Sequence, residues 1–379
     1  MAENGPGPRP RRALLEIEPY VPGRSIESVR AERGLAEVIK LASNENPLGP
    51  SPLAVAAMRE AAAAVHRYPD GSATVLRQRL AQHLSVPAEG IVVGNGSDEI
   101  VRLLAEAFLE PGDEAVMAAC TFSQYAAATR LMGGIPRTVP LQDEVHDLER
   151  MAAACTDRTR IVFVCNPNNP TGTIVERERV AAFLESLPPD VLVVFDEAYR
   201  EYVRAETYPD TLEWIRAKRP LVVLRTFSKV YGLAGLRIGY GIMPRAVARA
   251  LERARGPFNV NLMAQRAALA ALEDQEHVKK SVAANAAGVD LLSAELTRLG
   301  FGVTPTQANF LWVDAGDASG SIAAALLERG IIVRSGAAFG RPTHLRISVG
   351  TDTENRRLLE ALAEIRGLGP VLGERGGMV

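Results

Sequence analysis

The sequence predicts an α/β fold: a large domain with a mostly parallel sheet flanked by helices, then a smaller C-terminal α/β domain. Three observations predict it. Short, nearly uninterrupted apolar runs alternate with longer stretches of helical character, the pattern of strands buried on both faces. Four runs end, at Val93, Cys165, Phe195 and Arg225, in a polar motif containing glycine, proline or a charged side chain. In parallel sheets such motifs gather beyond the carboxyl ends of the strands, where ligands bind. The chain also changes character near Pro257, where a long helical stretch opens a second unit.

The 379 residues suffice for two domains and a sizeable core. The expected division is a disordered tail over 1–14, an N-terminal arm and small-domain segment over 15–45, a large domain over 46–260 and a small domain over 261–379. The tail is rich in Pro, Gly and Arg. Arg11-Arg12 precedes a segment too charged for an export signal. A net charge of −2 gives no reason to expect nucleic acid or an anionic membrane as partner. No apolar run has the length of a membrane span. The three cysteines, Cys120, Cys155 and Cys165, are odd in number and lack metal spacing, and the five histidines are scattered. These features argue against a disulfide framework or metal site and for a reducing, cytoplasmic compartment.

Taken in order, Leu41-Ala-Ser-Asn-Glu-Asn-Pro-Leu-Gly-Pro reads as a loop. Residues 52–65 read as a helix closed by Arg67-Tyr-Pro-Asp-Gly, and 74–84 as the next helix. Ile91-Val-Val is a strand running into Gly94-Asn-Gly-Ser-Asp-Glu and a helix over 100–108. The amides and dipole at that helix start form an anion site, although capping by Ser97 or Asp98 accounts for the same residues equally well. A third glycine is missing, so the stretch is not a dinucleotide fingerprint. Glu114-Ala-Val-Met-Ala is a strand, followed by Phe122, either a core ring or a stacking surface. The strand over 160–165 ends in Asn166-Pro-Asn-Asn-Pro-Thr-Gly, a tight loop that presents Asn169 at the sheet edge.

The strand over 191–195 ends in Asp196-Glu-Ala-Tyr199. A carboxylate at the end of a buried strand is costly unless paired with a cation; a helix N-cap is the plainer use. Leu221-Val-Val-Leu leads to Ser228 and Lys229, with Arg237 eight residues beyond the lysine. A hydroxyl and a guanidinium can hold a phosphate, and a lysine amine can condense with an aldehyde. Pyridoxal phosphate carries both groups on one ring, and its protonated ring nitrogen is the cation that Asp196 would need. Past Pro257 come a helical stretch over 262–299, a strand-like run over 304–313, a helix over about 321–329, Ile331-Ile-Val-Arg and His344-Leu-Arg-Ile-Ser-Val. Arg346 sits in the alternating last run, where an exposed strand arginine is the plain reading.

The string from Thr226 to Gly239 resembles the lysine segment of the class I/II aminotransferases, fold-type I pyridoxal-phosphate enzymes. The resemblance runs from Tyr20 to about Ile365, and the 41–50 loop and the Arg67-Tyr-Pro-Asp turn look most like those of histidinol-phosphate aminotransferases. It implies a fold-type I architecture and a catalytic set of Lys229, Asp196 and Tyr199. Gly96, Ser97, Asp98, Ser228 and Arg237 would surround the cofactor phosphate, joined by Tyr68 from the second subunit of a homodimer. Phe122 would stack on the ring, and Asn169 and Tyr199 would meet its phenolic oxygen. Tyr20, Arg334 and Arg346 would face the substrate, Arg346 gripping a carboxylate and Arg334 a phosphate. The implied ping-pong reaction moves an amino group between L-histidinol phosphate and 2-oxoglutarate. Residues 335–343 match no fixed family pattern. An aromatic amino-acid aminotransferase is therefore the alternative, followed by a threonine-phosphate-type decarboxylase. A cofactor-binding regulator would need a DNA-binding domain, for which the stretch before Tyr20 is too short and too proline-rich.

Overall fold

The structure is a computed structural model and describes residues 8–19 and 21–368. Its strands are β1 (Ile39–Leu41), β2 (Ile91–Gly94), β3 (Glu114–Ala118), β4 (Ile135–Val139), β5 (Thr159–Cys165), β6 (Leu192–Asp196), β7 (Leu221–Thr226), β8 (Gly239–Ile242), β9 (Gly302–Thr304), β10 (Phe310–Asp314), β11 (Ile331–Ser335) and β12 (His344–Ser348). A seven-stranded sheet has the order β2-β8-β7-β6-β5-β3-β4. Pairs from β7 to β4 are parallel, whereas β8 runs against both β2 and β7. β2 therefore points the same way as β5, β6 and β7, and the carboxyl ends of these four strands share one edge.

The apolar runs are continuous because successive side chains serve two different cores. Val162, Val164, Val193, Phe195, Leu221 and Val223 pack on one face of the sheet. Ile161, Phe163, Leu192, Val194, Val222 and Leu224 pack on the other. Side chains in a strand alternate between faces, so a strand covered on both sides loses its polar positions. Edge strand β4 is the exception: it carries Pro136 and is mostly exposed, which is why its sequence does not announce it.

The second sheet has the order β1-β11-β12-β10-β9. The N-terminal strand β1 lies parallel to β11, and the remaining pairs are antiparallel. Chain from before the large sheet thus returns to the edge of the small one. The helical stretch over 262–299 is two helices, Leu262–Glu273 and Gln275–Arg298. Asp274 interrupts them, with its carboxylate accepting from His277 N at 3.2 Å and Ser51 Oγ at 2.7 Å. The first helix buries Ala264, Ala267, Ala268 and Ala271 in a core of the large sheet, so the expected boundary at 260 falls ahead of a helix that packs with the large unit. The second spans both units: Val278 and Val282 pack on the large-sheet core, while Val289, Leu292 and Leu296 enter the small-sheet core. Of the expected tail, Arg12 onward forms a short 3-10 turn, Arg12–Glu16, and Arg11 donates to the Leu131 carbonyl at 2.7 Å.

Candidate active site

A cavity of about 580 Å³ opens at the shared strand edge, between the two sheets. Ser97, Asp98, Phe122, Asn169, Asp196, Tyr199, Ser228, Lys229, Arg237, Arg334 and Arg346 all line it. Tyr68 does not: its ring is 83% exposed and stacks on Phe258 at 4.7 Å. Tyr20 lies outside the described residues.

One end of the cavity is built for an anion. The helix Ser97–Phe108 begins after Gly96, which has no side chain to cap it, and the first amides of a helix have no partner within it. Gly96 sits at φ +82°, and a Cβ there would lie 2.6 Å from Arg237 Nη2. A Cβ on Gly239 would come within 2.5 Å of Ser97 N. Both glycines let the guanidinium and β8 close on the helix start. Arg237 Nη2 also meets Asp98 Oδ2 at 3.1 Å, which orients the guanidinium.

The other end is built for a cation. Asp196 is buried, its carboxylate accepting from Tyr125 Oη at 2.7 Å and from Ala198 N at 3.2 Å. Burial outweighs both bonds and raises its pKa to about 6. Tyr125 is itself buried, stacked on Phe163 at 4.7 Å and edge-on to Phe122 at 5.5 Å. The neighbouring Glu197 plays a different part. It is held by Arg225 at 2.9 Å and by the Thr211 hydroxyl, so it neutralises a buried arginine beneath the site.

Lys229 lies between these ends. Burial and then Arg346 lower its pKa to about 8, so far more of it is free amine near neutral pH than of an ordinary lysine, as a nucleophile requires. Its Nζ donates to the Ser43 carbonyl at 3.3 Å and lies 5.6 Å from the Tyr199 ring centroid. Arg346 donates to Asn169 Oδ1 at 2.5 Å and to the Ala42 carbonyl at 2.7 Å. Arg334 donates to the Val21 carbonyl at 3.0 Å. The two arginines pair across β11 and β12 in register.

Sequence reasoning missed Tyr125, Asn44, Asn309, Ser348, Lys40 and Glu45. Tyr125 stands three residues after Phe122, but its bond to Asp196 spans 71 residues. Asn44 and Glu45 belong to the 41–50 loop. Asn44 bonds Tyr199 Oη at 3.1 Å across 155 residues, and Glu45 bonds Lys40 at 2.9 Å at the cavity wall. Among the described residues, no group of three His, Cys, Asp or Glu could hold a metal ion, and no helix is long and apolar enough to cross a membrane.

An anion cradle, a buried carboxylate lacking a cation and a desolvated lysine are the donor set of an enzyme that binds a phosphorylated aromatic aldehyde. Residues 36–362 match the family described as "Aminotransferase class I and II", and the chain belongs to that family. It is 52% identical to the histidinol-phosphate aminotransferase of Moorella thermoacetica, over 94% of this chain and 93% of the relative. It is 48% identical to that of Symbiobacterium thermophilum, over 95% and 99%. Among solved structures it resembles the histidinol-phosphate aminotransferase of Sinorhizobium meliloti in complex with pyridoxal-5'-phosphate (TM-score 0.85, 31% identity, 95% of this chain and 98% of that one). It also resembles the aspartate aminotransferase of Thermus thermophilus with maleate (TM-score 0.80, 27% identity, 95% and 100%). The architecture is that of the fold-type I aminotransferases, as expected.

Proposed function

We propose that the chain is a pyridoxal-phosphate-dependent aminotransferase that exchanges an amino group between L-histidinol phosphate and 2-oxoglutarate. The observation that carries this is the convergence of Lys229, Asp196 and the Ser97–Ser228–Arg237 cradle on one cavity, in a chain about half identical to enzymes bearing that name. When bound, the cofactor supplies an aldehyde carbon that takes up an amino group and a ring that withdraws electrons from the carbon being deprotonated.

The chain's residues would do the rest. Ser97, Ser228, Arg237 and the first helix amides would hold the phosphate; Asp98 would act through Arg237, since its carboxylate would repel an anion. Phe122 would cover the ring. Asp196 would keep the ring nitrogen protonated, which in turn gives the carboxylate its missing partner. Asn169 and Tyr199 would meet the phenolic oxygen. Lys229 would bond the aldehyde carbon and, once released, carry a proton to and from the substrate carbon that bears the amino group. Arg346 would exchange its separate bonds to Asn169 and Ala42 for a bidentate grip on a substrate carboxylate. Arg334 and Tyr20 would take the substrate's phosphate end.

A homodimer belongs to this reading. Val65, Tyr68 and Phe258 form an exposed apolar concavity with Met263, and a second copy would cover it and bring Tyr68 to the partner's phosphate cradle. Three free cysteines accord with the cytoplasm as its compartment.

The test is a single-turnover absorbance measurement on cofactor-loaded protein given L-histidinol phosphate alone, then L-phenylalanine alone. Conversion of the bound aldehyde form to the amine form at least tenfold faster with histidinol phosphate is expected. The reverse preference would assign the enzyme to aromatic amino acids, and released carbon dioxide would assign it to decarboxylation.

A further inference from the structure

We propose that Asn44 is a positioning residue that fixes the Tyr199 hydroxyl so that its proton is presented to the cofactor's phenolic oxygen. The inference rests on the cofactor reading above. Asn44 follows β1 and is buried, 1% exposed. Its backbone adopts φ +55°, a left-handed conformation that asparagine tolerates better than most residues. Each of its polar groups is engaged. The backbone N–H donates to Ser348 Oγ at 2.8 Å, and the backbone carbonyl accepts from Asn309 Nδ2 at 3.0 Å. The side-chain Oδ1 accepts from Ser348 Oγ at 2.9 Å, and Nδ2 donates to Tyr199 Oη at 3.1 Å.

This arrangement has a direction. The Ser348 hydroxyl accepts from the Asn44 backbone and gives its single proton to Oδ1. That fixes which end of the amide faces Ser348 and leaves Nδ2 facing Tyr199. A phenol has one proton; a hydroxyl that accepts from Asn44 keeps that proton for another partner, and Tyr199 lines the cavity. The charged and titratable groups around Tyr199 include Arg346, Asp196, Cys165 and Tyr202, with Lys229 5.6 Å from its ring centroid. Phe310 packs edge-on at 5.1 Å. Through Ser348, which ends the strand carrying Arg346, and Asn309, which precedes β10, Asn44 also ties Tyr199 to the small sheet. The donor is therefore set from the substrate side of the cavity.

A phenol that donates to the cofactor's phenolic oxygen stabilises the anionic oxygen, and weakening that bond raises the pH at which the bound cofactor titrates. Asn44→Gly removes the side chain without straining the left-handed backbone. Ser348→Ala keeps Asn44 but frees its amide to turn. Each variant is expected to retain the cofactor and to raise the midpoint of the cofactor's visible-absorbance titration by roughly half a pH unit to one unit, the size of one net hydrogen bond. Added to Tyr199→Phe, Asn44→Gly is expected to shift the midpoint no further. An unmoved midpoint in either cofactor-loaded variant, or the same shift in the Tyr199→Phe background, overturns the role. If one variant fails to hold cofactor, the other decides by the same criteria. A wild-type protein with no visible cofactor band at any pH would instead overturn the cofactor reading itself.

Discussion

Asp196 shows how a single residue carries both function and its cost. Its ordinary pKa of 3.8 rises to about 6 because burial disfavours the charge and one tyrosine and one amide do not fully offset it. A raised carboxyl pKa means that the cofactor-free fold holds a proton which the unfolded chain has released between pH ~4 and ~6. The stabilising contribution is present below about pH 4 and lost as pH rises through about 6, on the order of 3 kcal/mol above that range. Asp196→Asn is therefore expected to raise the melting temperature of the cofactor-free protein at pH 8 by a few degrees, with little effect at pH 4. The same substitution should lower transamination by a hundredfold or more, the range of other lost catalytic acid–base groups. Calorimetry at the two pH values checks the first expectation; an equal effect at both would remove the charge from the explanation. Lys229, Asp196 and Arg237 were legible because each stands in a short string that its neighbours make unusual. Tyr125 and Asn44 were not, because what ties them to the site is a contact with Asp196 or Tyr199 formed only on folding.

At the scale of elements, the strands of the large sheet were legible from their unbroken apolar runs, and the motifs after β2, β5, β6 and β7 from their turn residues. The common edge of β5, β6 and β7 followed from parallel pairing, which the structure has; β2 shares that edge because β8 runs against both β2 and β7. Strand order was not legible, since it depends on which runs pack together rather than on any run alone. The antiparallel β8, slotted between β2 and β7, carries no mark of its direction. The break at Asp274 was missed because the residues on both sides are helical in composition; Asp274 ends one helix and caps the next. Glu197 and Arg225 form a buried pair at the ends of adjacent strands β6 and β7. The pair neutralises Arg225, which does not line the cavity.

Across the whole molecule, the cavity lies between a large, mostly parallel sheet, whose strand ends bring up Asp196, Ser228 and Lys229, and a smaller sheet, which offers Arg334 and Arg346. The strand β1 and the loop after it lace the two together, so Ser43, Asn44 and Glu45 reach the site from the opposite end of the sequence. The surface around Tyr68 and Phe258 is exposed and apolar, and the dimer proposed above would cover it. Sedimentation of the cofactor-loaded protein is expected to give a dimer, and a monomer that keeps full activity would count against the role given to Tyr68. The central claim is that Lys229 bonds the cofactor inside this cavity, and borohydride reduction of the loaded protein followed by peptide mass spectrometry tests it most directly. The account predicts the reduced cofactor's mass on the peptide containing Lys229 and its loss in Lys229→Ala. The same mass on another lysine, or on none although cofactor is bound, would contradict it.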